Sequence, residues 1–184
     1  MGTIEFYMFD GKLWAILADG SNKIVTENDT EMVGYILNII MERYPDAYKA
    51  LSTCYSSASL NVPYYQYLMV RRFCKCNFGT LDNTRADIDV NGKMNFEYVA
   101  CPLRGECQYE CRICSPKLNS KMSDAEKRVM ELVYAGKNNE TIADKLFLSP
   151  NTVRNHIKSV YAKLDIHNRG EFVKYANENN LFQC

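Results

Sequence analysis

Four cysteines fall within a 14-residue stretch, Cys101-x5-Cys107-x3-Cys111-x2-Cys114. Thiolates are soft ligands. Four of them fill the tetrahedral shell of a structural zinc ion and leave no position for an activated water. Pro102, Gly105 and Pro116 make a long helix or strand unfavourable here, so a shared ion is what would fix the loop. The same four sulfurs suit an iron–sulfur cluster, or stand as unmetallated or redox-active thiols, and these alternatives remain open beside zinc. Two more cysteines, Cys74-Lys75-Cys76, lie next to Arg71 and Arg72 and read as a helix end with two partly buried thiols. Cys54 and Cys184 stand apart and carry no pattern.

A second set of residues suits recognition rather than ligation. Ser149-Pro150 opens a helix, with Ser as cap and Pro at the first position, where its missing N–H costs nothing. At about 100° per residue, Arg154, Lys158, Asn151, Ala162 and Asn155 share one arc, while Val153, Ile157, Val160 and Leu164 gather on the other side. Arg and Lys reach guanine acceptors or phosphates, and Asn pairs bidentately with adenine, so the polar arc has the chemistry of major-groove readout. His156 lies between the two arcs, and His167 falls in the loop that follows.

This helix must be held by others. Ser123-Asp-Ala-Glu126 fits a capping box, Val129, Leu132 and Val133 make an apolar stripe behind it, and Gly136 stops that helix. A short helix carries Ile142, Ala143 and Leu146. The link Leu146-Phe-Leu-Ser149 then makes a helix-turn-helix, and Asn168-Arg-Gly-Glu171 opens a fourth helix. The region before the cysteines is different. Ile4 to Ala18 reads as two apolar strands around Asp10-Gly11. Helices follow after Asn28-Asp-Thr-Glu31, Pro45 and Pro63, the last over Tyr64 to about Phe73, and Asn91-Gly92 signals a second hairpin. The expected fold is an α+β N-terminal domain, a cysteine-rich metal-binding segment and an all-α four-helix C-terminal domain, with bounds 1–99, 100–119 and 120–184.

Composition excludes several classes. With 47% hydrophobic and 24% charged residues and no run of about 20 apolar residues, the chain is neither disordered nor membrane-spanning. Its start lacks the basic and apolar regions of a secretion signal, and Phe6 stands where myristoylation wants Ser or Thr, so a cytoplasmic location is expected. A cytosolic chain also argues against a disulfide framework. Basic and acidic residues balance at 22 each. From Lys121 onward there are 10 Lys and Arg against 8 Asp and Glu, so nucleic-acid binding must rest on where charges sit.

The residues from Met122 to Leu181 resemble the C-terminal DNA-binding domain of LuxR/GerE-type (NarL-like) transcriptional regulators. The likeness rests on Ser123-x-x-Glu126, Ile142-Ala143-x-x-Leu146-Phe-Leu-Ser149, Thr152-Val-Arg-Asn-His-Ile157, Tyr161-x-Lys163-Leu164 and Asn168-Arg169. The resemblance implies that the third helix reads the major groove of double-stranded DNA through Arg154, Asn155 and Lys158. It implies that Thr152 and Arg169 touch the backbone, and that the fourth helix forms a homodimer contact on DNA; the apolar Phe172, Val173 and Ala176 lie on that helix, and the core must use some of this surface. RNA polymerase is a further expected partner. One departure is Glu140-Thr141, where the family commonly has Lys-Glu before Ile-Ala. Cys107-x3-Cys111-x2-Cys114 also matches the spacing of radical-SAM cluster ligands, but that motif belongs early in a large barrel, so no enzyme is expected. The reading is a sequence-specific DNA-binding regulator; the other reading is a metal-stabilised interaction adaptor or a thiol or iron–sulfur redox sensor acting on transcription machinery.

Overall fold

A computed structural model describes residues 2–79, 81 and 85–182, so Cys184 lies outside the described residues. The chain divides into two units, Met1–Pro116 and Lys117–Cys184, and the cysteine-rich stretch belongs to the first up to Pro116.

In the first unit, strands β1 (Ile4–Phe9) and β2 (Lys12–Leu17) pair antiparallel, with Phe9 opposite Lys12. Asp10 and Gly11 both take positive φ, 50° and 68°, as the two-residue turn of a right-twisted hairpin requires. A short strand beyond the two predicted from the sequence, β3 (Asn22–Ile24), adds to β2. Ile4, Phe6, Leu13 and Ala15 are buried on one face; helix α3 (Val62–Asn77) packs on the sheet, and helices α1 (Thr30–Arg43) and α2 (Pro45–Cys54) pack on α3 and on each other. Pro45 and Pro63 stand in the first turns of α2 and α3, as expected. α3 runs one turn further than its apolar pattern suggested and so takes in Cys74 and Cys76.

The second hairpin is narrower than Asn91-Gly92 implied. The turn forms, with the Asp89 N–H donating to the Lys93 carbonyl at 3.0 Å, but pairing is confined to single bridges of Ile88 with Ile4 and with Met94. The Asp89 carboxylate accepts from the N–H groups of Asn91 and Lys93, which tightens the loop at the expense of a longer ladder. Beside the Ile88 bridge, the Asp87 carboxylate accepts the Phe6 N–H at 2.6 Å.

The last turn of α3 is a strap for the loop segments that follow. Buried Asn77 donates through Nδ2 to the Ile113 carbonyl at 2.8 Å and accepts through Oδ1 from the Ser115 N–H at 2.9 Å. Its own carbonyl accepts from the Glu97 N–H at 3.0 Å. Three backbone groups from two loop stretches are thereby satisfied at one side chain and its peptide.

The second unit holds helices α4 (Asp124–Tyr134), α5 (Asn139–Leu146), α6 (Pro150–Leu164) and α7 (Arg169–Glu178) around Val129, Met130, Ile142, Val153, Val160, Phe172 and Ala176. α4 ends as expected at Gly136, whose φ of +83° lets the Lys137 N–H return to the Leu132 carbonyl at 3.0 Å. Among the described residues, no helix is long and apolar enough to cross a membrane.

Candidate nucleic-acid interface

α5 and α6 make the helix-turn-helix. Asn138 caps α5 by accepting from the Thr141 N–H, and Ser149 caps α6 by accepting from the Thr152 N–H at 3.0 Å. The turn between them passes through Phe147 at φ +54°, and the Leu148 N–H closes it onto the Ala143 carbonyl at 2.9 Å. Phe147 itself is 96% exposed.

α6 has the two faces its sequence implied. Val153 and Val160 are fully buried, Ile157 and Leu164 half-buried. Asn151, Arg154, Asn155, Lys158 and Ala162 are all exposed. Arg154, Asn155 and Lys158 thus stand together on one open arc, while Thr152, half-buried at the helix start, shares a 2.8 Å hydroxyl contact with Ser149. Arg169 is placed elsewhere, at the first position of α7, and its guanidinium donates to the Val133 carbonyl at the end of α4. His156 is half-buried on α6, and His167 is exposed before α7.

One carboxylate ties α6 to α4, beyond the cap that its sequence position implies. Glu126 closes the capping box, accepting from the Ser123 N–H at 2.8 Å, and it is buried. The same carboxylate accepts from Lys163 Nζ at 2.6 Å and from the Ser159 hydroxyl at 2.7 Å, both on α6. These donors, Lys163 first, hold its pKa down at about 2 against an ordinary 4.5.

The cysteines do not gather as their spacing suggested. Cys101, Cys107 and Cys114 are free thiols lining one cavity of about 140 Å3, but Cys111 does not line it. Cys111 sits at φ +58° and is disulfide-bonded, so the expected set Cys101, Cys107, Cys111 and Cys114 does not share one cavity. The fourth thiol on the cavity wall is Cys76, from the last turn of α3. Cys74 is wholly buried, and burial pushes its thiol well up, away from reactivity. Among the described residues, the one group of three or more acidic, His or Cys ligand atoms within 4.8 Å of one another is Glu5, Asp87 and Glu97. Each of its carboxylates is already an acceptor for a backbone N–H, those of Asp87, Phe6 and Gly79 respectively.

The family model described as bacterial regulatory proteins of the luxR family (GerE) matches residues 120–176, a span that opens just before the capping box and closes within α7. Residues 120–176 are a LuxR-family helix-turn-helix domain. Part of the chain is also similar to proteins named as transcriptional regulators. The transcriptional regulatory protein DesR of Bacillus subtilis (strain 168) is 40% identical over 62 residues, 34% of this chain and 31% of that protein. LiaR, a transcriptional regulatory protein of the same organism, is 32% identical over 63 residues, 34% of this chain and 30% of its own. The HTH-type transcriptional regulator MalT of Vibrio cholerae is 39% identical over 59 residues, 32% of this chain and 6% of that protein. The chain spans less than half the length of each. No solved structure matches it.

Within the LuxR-type domain, the apolar residues expected on a dimer contact are largely spoken for. Phe172 and Ala176 are buried in the domain's own core, and only Val173 is part-exposed. Phe172 packs against Tyr161 and Phe182, which is why α7 needs it inward.

Proposed function

We propose that this chain is a sequence-specific DNA-binding transcriptional regulator that lays α6 in the major groove of double-stranded DNA. The observation that carries the reading is the pairing of an open Arg154, Asn155 and Lys158 arc with an opposite face fixed in the core of a LuxR-type domain. Each of the three residue types has a base-edge partner, Arg and Lys with guanine O6 and N7, and Asn with adenine N6 and N7. The α6 N-terminus, capped by Ser149 and free of acidic residues in its first turn, is favourably placed in charge for a phosphate. Thr152 and the donors of Arg169 not used on Val133 are the proposed backbone contacts. Glu140, exposed at the start of α5, repels a nearby phosphate and so places more of the binding on α6.

Binding as a homodimer is part of the same proposal, with Val173 and the surface around it at the contact and half-sites about one helical turn apart. RNA polymerase is a proposed partner of the promoter-bound protein, and a cytoplasmic location follows from that role. Selection from random-sequence duplexes followed by mobility shift tests the reading. Enrichment of one motif, bound through paired half-sites, is expected. Salt-sensitive binding without sequence preference overturns it and favours the adaptor.

A further inference from the structure

The cavity beside the last turn of α3 lies wholly in the first unit and has four free thiols on its wall, Cys76, Cys101, Cys107 and Cys114. Zinc bonded to sulfur at about 2.3 Å would draw four sulfurs to about 3.8 Å of one another and leave no void among them. Here no three of the four have their sulfurs within 4.8 Å of one another, and a space of about 140 Å3 stands between them. An iron–sulfur cluster has the other geometry: four thiolates set around a core of several atoms.

Charge and hydrogen bonding agree with that core. Arg72, Lys75 and Arg104 line the cavity against the carboxylate of Glu110, a net positive wall suited to the negative charge of a thiolate-ligated cluster. Arg72 Nη2 reaches Cys107 Sγ at 3.8 Å, while its Nε–H is buried with no acceptor. A bound sulfide or a ligating thiolate is the acceptor such a donor lacks. Asn77, by holding Ile113 and Ser115, sets Cys114 against the end of α3 from which Cys76 comes.

We propose that Cys76, Cys101, Cys107 and Cys114 ligate one iron–sulfur cluster in this cavity. The assignment replaces Cys111 by a cysteine outside the 14-residue stretch and makes the first unit the cofactor-bearing part of the chain. It stands independently of whether α6 reads DNA.

The test is anaerobic reconstitution of the reduced full chain with ferrous iron and sulfide. Iron and acid-labile sulfide in about equal amounts, with broad visible absorbance, are expected. Cys76→Ser, Cys101→Ser, Cys107→Ser and Cys114→Ser should each lower bound iron severalfold, whereas Cys111→Ser and Cys54→Ser should load as the parent does. Alkylation of the loaded parent gives a reading that needs no variant to fold: Cys54 and Cys111 are labelled, and the four ligands are spared until the cluster is stripped. The proposal is overturned if Cys111→Ser fails to load while Cys76→Ser succeeds. It is equally overturned if the chain binds zinc without sulfide, or binds no iron.

Discussion

At the scale of single residues, Arg154 and Lys158 are where the proposed recognition can be tested apart from folding, because both are exposed and neither contributes to the core. Arg154→Ala should leave thermal unfolding unchanged and weaken binding to a selected site by about 1–3 kcal/mol, read by anisotropy at matched salt. Lys158→Ala should do the same or chiefly flatten the salt slope. Equal affinity of both variants and the double variant with the parent would remove α6 from the interface. Glu126 is the converse case, a folding residue beneath the recognition helix. Glu126→Gln keeps an acceptor for Ser123 but loses the charge facing Lys163, and should cost about 2 kcal/mol in urea unfolding. The sign of its pH dependence follows from the depressed pKa. The ionised carboxylate stabilises the fold fully above its ordinary value of 4.5, and that stabilisation drains away as pH falls toward about 2. The difference in urea midpoint between parent and Glu126→Gln should therefore shrink across that window and stay constant above it.

At the scale of elements, Gly136 shows how much of a helix end is backbone. A Cβ built there meets nothing closer than Arg169 Nη2 at 4.0 Å, so Gly136→Ala is penalised by its φ of +83° and not by a clash. A loss of about 1 kcal/mol in thermal or urea unfolding is expected, with DNA affinity per folded molecule unchanged. The helices of the LuxR-type domain were legible in the sequence because their signals are local: Ser123 with Glu126, Ser149 with Pro150, Asn168 with Glu171, each three residues or fewer apart. The two faces of α6 followed from periodicity alone. What periodicity cannot carry is a contact made across the chain. Glu126 meets Lys163 only once α4 and α6 are packed, and Cys76 reaches the cavity of Cys101, Cys107 and Cys114 only because Asn77 binds two distant loop peptides. The same limit applies to α7, where the sequence implies that the core takes some of Phe172, Val173 and Ala176, and packing decides that it takes Phe172 and Ala176. It also explains the second hairpin, whose turn signal was correct and whose ladder was cut short by a competing carboxylate at Asp89.

At the scale of the whole molecule, the second unit has a core of its own, reaching from Met122 to Leu181 with Leu118 and Phe182 packed against it. A fragment of residues 117–184 should therefore unfold cooperatively and show helical circular dichroism without the first unit. A non-cooperative melt of that fragment would mean that the LuxR-type domain depends on residues before Lys117. The first unit has no such helical bundle to rely on at its cysteine-rich end. Residues 98–116 contain neither helix nor strand, and Asn77 holds them through the Ile113 carbonyl and the Ser115 N–H. Divided in this way, the chain carries the helix-turn-helix in one unit and the cysteine-lined cavity in the other.

The carboxylate of Asp87 has a bearing on solubility. On the outer edge of β1, alternate residues offer their N–H and carbonyl groups sideways; Ile4 is matched by Ile88, and the Phe6 N–H is taken by Asp87. An incoming strand from another molecule finds those hydrogen-bonding positions occupied, and would have to displace a charged side chain to add to the sheet. β3, at the opposite edge, is only three residues long and offers little template. Asp87→Ala should open β1 to intermolecular pairing, visible as concentration-dependent light scattering and a rise in β-sheet infrared absorbance at temperatures where the parent stays clear. Clear solutions of the variant over the same range would show that the edge is guarded by something else.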